Sequence, residues 1–244
     1  TVMLGWLKGY AVTGLYGAAS TVISALTFIS GIIMTATFPA MSKFHHKKSH
    51  EFLKKLYKKT LYYLFVIGFP AALGLSMLSE RVIRFVFQEG FLGAGVLLEV
   101  LSWSLLFIFL STISGYFLNA IDQQKKFTLA TGVTALVNVF LNYFLIMKFG
   151  GLGAALATVA SQLLLFVILY GFSVRYGYGV GLLSLIAKPL FAGVVMGIFV
   201  AWAFSYHILV IIPLAIFLYF GVLFFLKGFG EDEFNVVKSF LPKR

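Results

Sequence analysis

Asn138 and Asn142 stand four residues apart in the run NVFLNYFLIM, so a helix would place both amides on one face. An amide left unsatisfied in hydrocarbon is costly, and these two must either bond a neighbouring helix or line a wet cavity. Amides both donate and accept, which suits sugar hydroxyls, and Asn119 and Gln162 are placed to join them. Structural bonding between helices is the competing role. A second polar set, Ser20, Thr21, Ser24, Thr27 and Ser30, makes one apolar stretch unusually rich in hydroxyls. A third set is cationic: Arg81 and Arg84, three apart beside Glu80, and Lys188 just before Pro189. Such cations suit a phosphate or pyrophosphate group, or alternatively snorkelling and anchoring at a lipid interface.

Catalytic chemistry finds no foothold. The eight acidic residues form no evident acid/base pair, and cysteine is absent, which removes thiolate nucleophiles, thiolate metal sites and disulfides. His46 and His50 have helical metal spacing, but only Glu51 accompanies them, and a solvated loop explains them as well. No Gly-rich loop followed by Lys-Ser or Lys-Thr is present, so direct use of ATP is not expected. No catalytic residue, metal or cofactor is therefore assigned.

The elements that carry these groups follow from composition. Of 244 residues, 61% are hydrophobic and only 11% charged. A soluble domain carries about 25% charged residues, so too little polar surface exists here to face water. Soluble core helices are the weak alternative, because no hydrophilic faces are left for them. A bilayer core of about 30 Å requires roughly 20 apolar residues per helix. Seven stretches qualify, approximately 16–40, 60–79, 97–119, 127–147, 151–173, 186–206 and 208–226. Residues 1–13 read as the tail of another helix, and Thr1 as a cut end.

The net charge of +11 is read by position, since a nucleic-acid binder would spread its basic residues over a water-exposed face. Nucleic acid is not an expected partner. Seven spans place 15 of the 19 basic residues on one side, among them seven lysines in residues 43–60. The positive-inside rule assigns that side, with the loop 42–60 and the C-terminus, to the cytoplasm. Within the loop, Phe52, Leu53, Leu56 and Tyr57 alternate with lysines at helical spacing, which suits a helix lying on anionic headgroups before it enters the membrane. Two small-residue ridges, Gly150, Ala154, Thr158 and Gly153, Ala157, Ser161, predict close helix packing. Pro39, Pro70 and Pro213 are hinge candidates or static kinks.

The motifs TGLYGAAS at 13–20, FPAMS at 38–42, GYFLNAIDQQKKF at 115–127, NVFLNYFLIMKFGGLGAALATVASQ at 138–162 and KPLFAGVVMG at 188–197 occur in an order that resembles the polysaccharide transporter family. This is the O-antigen-flippase type within the multidrug, oligosaccharidyl-lipid and polysaccharide exporter superfamily. The resemblance implies an all-α, polytopic transmembrane bundle of about seven spans, corresponding to the second lobe plus two terminal helices of a two-lobe exporter. Its parts would be a second-lobe bundle over 1–180 with an incomplete first helix, two additional helices over 181–227 and a cytoplasmic tail over 228–244. The implied function is translocation of a lipid-linked oligosaccharide or polysaccharide precursor across the cell membrane by alternating access. Membrane lipids, the lipid-linked glycan and a missing N-terminal lobe would be the partners. The cavity-facing candidates are then Ser20, Ser24, Thr27, Asn119, Asn138, Asn142 and Gln162, with Arg81, Arg84 and Lys188 for a headgroup phosphate. A multidrug or toxin exporter of the same superfamily and a non-transporting membrane half-protein are the alternatives.

Overall fold

The computed structural model describes residues 2–87 and 89–228, and these are helical with short connections. The expected tail lies outside the described residues from position 229 onward. Seven helices among the described residues are long and apolar enough to cross a membrane. The all-helical, seven-span expectation therefore holds. The chain divides into two compact units, residues 1–181 and residues 182–244.

In the first unit, α1 (Val2–Lys8) ends at Gly9, whose φ of 84° turns the chain, and α2 runs from Tyr10 to His46. The expected first span is thus too short at both ends. Residues 10–13 belong to α2, whose polar groups beyond the apolar window extend the helix instead of ending it. A tight turn with Lys48 at φ 54° leads into α3 (His50–Met77). This overturns the separate surface helix: the lysine stretch forms the first turns of the spanning helix itself. Leu53, Tyr57, Thr60, Leu61 and Leu64 recur at spacings of three and four and are buried, so packing carries the helix straight through the lysines. Pro70 and Pro39 lie inside α3 and α2, and neither ends its helix.

After α4 (Ser79–Phe87) and a 3₁₀ turn, α5 (Ala94–Ala120) forms the centre of the unit. It packs against α2, α3, α4 and α7, while α6 (Gln124–Phe149) packs mainly on α7 (Gly151–Ser173). The most apolar stretch of α5 is 61% buried, against 17% for those of α2 and α6. A helix with apolar residues on every side suits this place, provided its polar groups are satisfied internally. The hydroxyls of Ser102, Ser104, Ser111 and Ser114 all donate to carbonyls one turn earlier in α5. Beyond α7 the chain continues in a π-helical turn, Val174–Tyr178, with Gly177 at φ 87°.

In the second unit, α8 (Leu182–Trp202) and α9 (Ile208–Phe225) are joined by a short connection. Buried residues recur along each, Leu185, Pro189, Ala192, Met196 and Val200 facing Ile208, Ile211, Ala215, Tyr219 and Leu223. Spacings of three and four make one apolar seam of a helical hairpin. Lys188 Nζ donates to the carbonyl oxygen of Lys227 at 2.8 Å, tying the start of α8 to the end of α9.

Candidate functional site

The polar residues of α6 meet the small ridges of α7. The two helices turn on Gly150, at φ 59°, and approach so closely that a Cβ on Gly153 would stand 1.9 Å from the carbonyl oxygen of Leu145. No side chain fits there. Along α6 the residues facing inward stand four apart: Ala130, Thr134, Asn138, Asn142 and Ile146, with the first two and the last buried and both asparagines half-buried. Asn138 Nδ2 donates to Ser161 Oγ at 2.9 Å, and Ser161 in turn donates to the carbonyl of Ala157 at 2.7 Å. Asn142 Nδ2 donates to both the side-chain and main-chain oxygens of Asn138, each at 2.9 Å. The amide of Asn138 thus donates from helix to helix, while that of Asn142 donates within α6, amide to amide. Thr134 Oγ1 is buried in the same row without a hydrogen-bond partner.

On the other flank of α7, Thr158 Oγ1 lies 2.9 Å from Tyr16 Oη of α2. This contact puts the N-terminal third of α2 level with Asn138. The hydroxyl row continues from there. Ser20 donates to the carbonyl of Gly17, Ser24 to that of Ser20 and Thr27 to that of Ser24, at 3.0, 2.9 and 2.7 Å. Each hydrogen is used within the helix, and each hydroxyl oxygen keeps accepting capacity. Ser24 is exposed in this unit and Ser20 and Thr27 are half-buried. The row can therefore accept hydrogen bonds from a polyhydroxylated ligand without losing its own.

The remaining candidates are dispersed. Asn119 sits in the last turn of α5, its Oδ1 buried and without a partner. Asn138 lies fourteen residues into α6, which begins just after that turn, so about 20 Å of helix rise separates the two. Gln162 is half-buried on α7 next to Ser161. Arg81, half-buried, and Arg84, exposed, belong to α4 at the end of α3 opposite the lysines. Lys188 belongs to the second unit, where it caps the last turn of α9.

The histidines also separate. His46 ends α2 and His50 begins α3, so the turn between them removes the shared helical face. Among the described residues no group of three or more His, Cys, Asp or Glu could hold a metal ion. His50 Nδ1 instead lies 2.7 Å from Tyr178 Oη, and His45 Nε2 lies 3.5 Å from Asp122 Oδ2. Tyr176 Oη donates to Gln123 Oε1 at 2.6 Å. These contacts join the ends of α2, α3, α5 and α7 at the lysine-bearing end. Sequence reading missed all of them, since no local spacing signals a pair such as His50 and Tyr178.

Known proteins resemble this chain in sequence and fold. The family model described as "Lipid II flippase MurJ" matches residues 6–219. A probable low-salt glycan biosynthesis flippase of Haloferax volcanii is 26% identical over 148 residues, covering 61% of this chain and 31% of that protein. A probable flippase of the same organism is 28% identical over 169 residues, covering 67% of this chain and 35% of its own. The chain thus spans about a third of the length of these curated relatives. A solved lipid II flippase MurJ in an inward closed conformation shares the fold, with a TM-score of 0.71 at 21% identity, over 89% of this chain and 48% of that one. With a match running through nearly all of its spanning helices, the chain belongs to the lipid II flippase MurJ family.

Proposed function

We propose that this chain is the second lobe, with two additional helices over 181–227, of a multi-pass flippase that carries a lipid-linked oligosaccharide or polysaccharide precursor across the cell membrane by alternating access. The observation that carries the reading is the family match along residues 6–219, a family of transporters rather than enzymes. The names of the two Haloferax relatives, both flippases and one of glycan biosynthesis, support a glycan substrate over a small drug-like cation. In this reading the hydroxyl row Ser20, Ser24 and Thr27 of α2 faces the wet path, and a first lobe supplies the opposite wall. The lysine-bearing end of the first unit lies in the cytoplasm, as its excess of basic residues argues.

Transport is tested on the full-length protein that contains this region. It is reconstituted with fluorescent lipid-linked oligosaccharide, and the fraction of label reached by an impermeant quencher is followed with time. Exchange well above that of protein-free vesicles is the expected outcome. Exchange at the protein-free rate, with folded protein and the glycan-bearing lipid supplied, refutes the proposal.

A further inference from the structure

The first turns of α3 carry a feature that the proposed transport path does not use. Lys54, Lys55, Lys58 and Lys59 are all exposed, while Leu53 before them and Tyr57 between them are fully buried. Tyr57 Oη lies 3.2 Å from Ser114 Oγ of α5, and its ring lies 4.1 Å from that of Phe117. The lysines therefore project from a helix fixed against the centre of the bundle, as two parallel rows one turn apart. Their depth follows from the helix. The 28 residues of α3 make about 42 Å of helix, against a hydrocarbon core of about 30 Å. From Thr60 to Met77 the helix has no charged residue, and that part alone nearly fills the hydrocarbon. Tyr62 and Tyr63 follow the lysines after Thr60 and Leu61, with Lys59 Nζ 5.9 Å from the centre of the Tyr63 ring, and tyrosines favour the boundary of a bilayer. With Thr60–Met77 set in the hydrocarbon, Lys58 and Lys59 would fall at that boundary, and Lys54 and Lys55 one turn further out, on the side of the lipid phosphates. Glu51 is the single acid in residues 43–60, so the ridge is built for negative charge.

We infer that this ridge is a docking surface for the anionic phospholipid headgroups of the leaflet around it, and that it holds such lipids next to α3 in preference to zwitterionic ones. The test uses the full-length protein that contains this region, reconstituted in phosphatidylcholine vesicles with trace spin-labelled lipid. The fraction of label immobilised at the protein is compared for phosphatidylglycerol and phosphatidylcholine. An association about twofold or more stronger for phosphatidylglycerol is expected, weakening in high salt. The preference falls by half or more in a variant with Lys54→Gln, Lys55→Gln, Lys58→Gln and Lys59→Gln, and persists when the same four become Arg. Lys54→Gln with Lys55→Gln alone gives an intermediate value and serves if the fourfold variant does not fold. Equal association of the two lipids, or a preference untouched by these Gln substitutions in folded protein, overturns the inference. Soluble pyrophosphate at about 1 mM, too dilute to screen the surface, leaves the preference intact. If it abolishes the preference, the ridge is a diphosphate site rather than a leaflet contact, and the inference fails.

Discussion

The seam between α6 and α7 and the hydroxyl row of α2 are both polar groups on membrane-spanning helices, yet they use that polarity in opposite ways. In the seam, Asn138 reaches across to Ser161, and Gly153 allows no atom between the backbones. In the row, Ser20, Ser24 and Thr27 turn back on their own helix, and α2 has a largely uncovered apolar stretch within its unit. A hydrogen bond that crosses between helices holds a bundle together. One that closes within a helix makes a polar group tolerable in lipid while keeping its oxygen available to something else. At Asn138 the donated hydrogen crosses to α7, whereas in the row it stays within α2.

That contrast breaks most readily at Gly153. Gly153→Ala places a methyl against the Leu145 carbonyl, and a loss of about 3–5 kcal/mol is expected, read as failure to recover monodisperse protein or a collapse of thermal stability. Asn138→Leu removes the link to Ser161 and one of the two acceptors for Asn142, for an expected loss of about 1–2 kcal/mol in a denaturant titration in mild detergent. Tyr16→Phe deletes one hydroxyl from the contact with Thr158, and about 0.5–1 kcal/mol should be lost in the same titration. Ser24→Ala in the full-length protein sharpens the other half of the comparison. Stability should change by less than about 0.5 kcal/mol, while leaflet exchange slows. A Ser24→Ala protein as destabilised as Asn138→Leu would erase the distinction between the two regions.

Much of this architecture is legible in order. The seven spans follow from apolar length, and the shared face of Asn138 and Asn142 follows from their spacing. The ridge of Gly153, Ala157 and Ser161 also announces a close packing partner. What spacing does not reveal is which helix that partner is. Tyr16 and Thr158 are separated by 142 positions and His50 and Tyr178 by 128, so their contacts depend on the arrangement of whole helices. The helix ends escape apolar length for a related reason. Apolar length measures the hydrocarbon, whereas α2 and α3 continue beyond it as long as one side packs against a neighbour, which Met41, Leu53 and Tyr57 do at no exposure. Lysines on the outer side do not interrupt that.

The central place of α5 has a consequence for biosynthesis. Both α2 and α3 find their principal neighbour in α5, more than they do in each other. Both are synthesised before it. As the nascent chain leaves the ribosome, two long spans must reside in the bilayer with their eventual contact surfaces open until residues 94–120 have been made. Assembly of the first unit therefore waits on its third long span, and any factor that shelters unfinished membrane proteins has its opening in that interval.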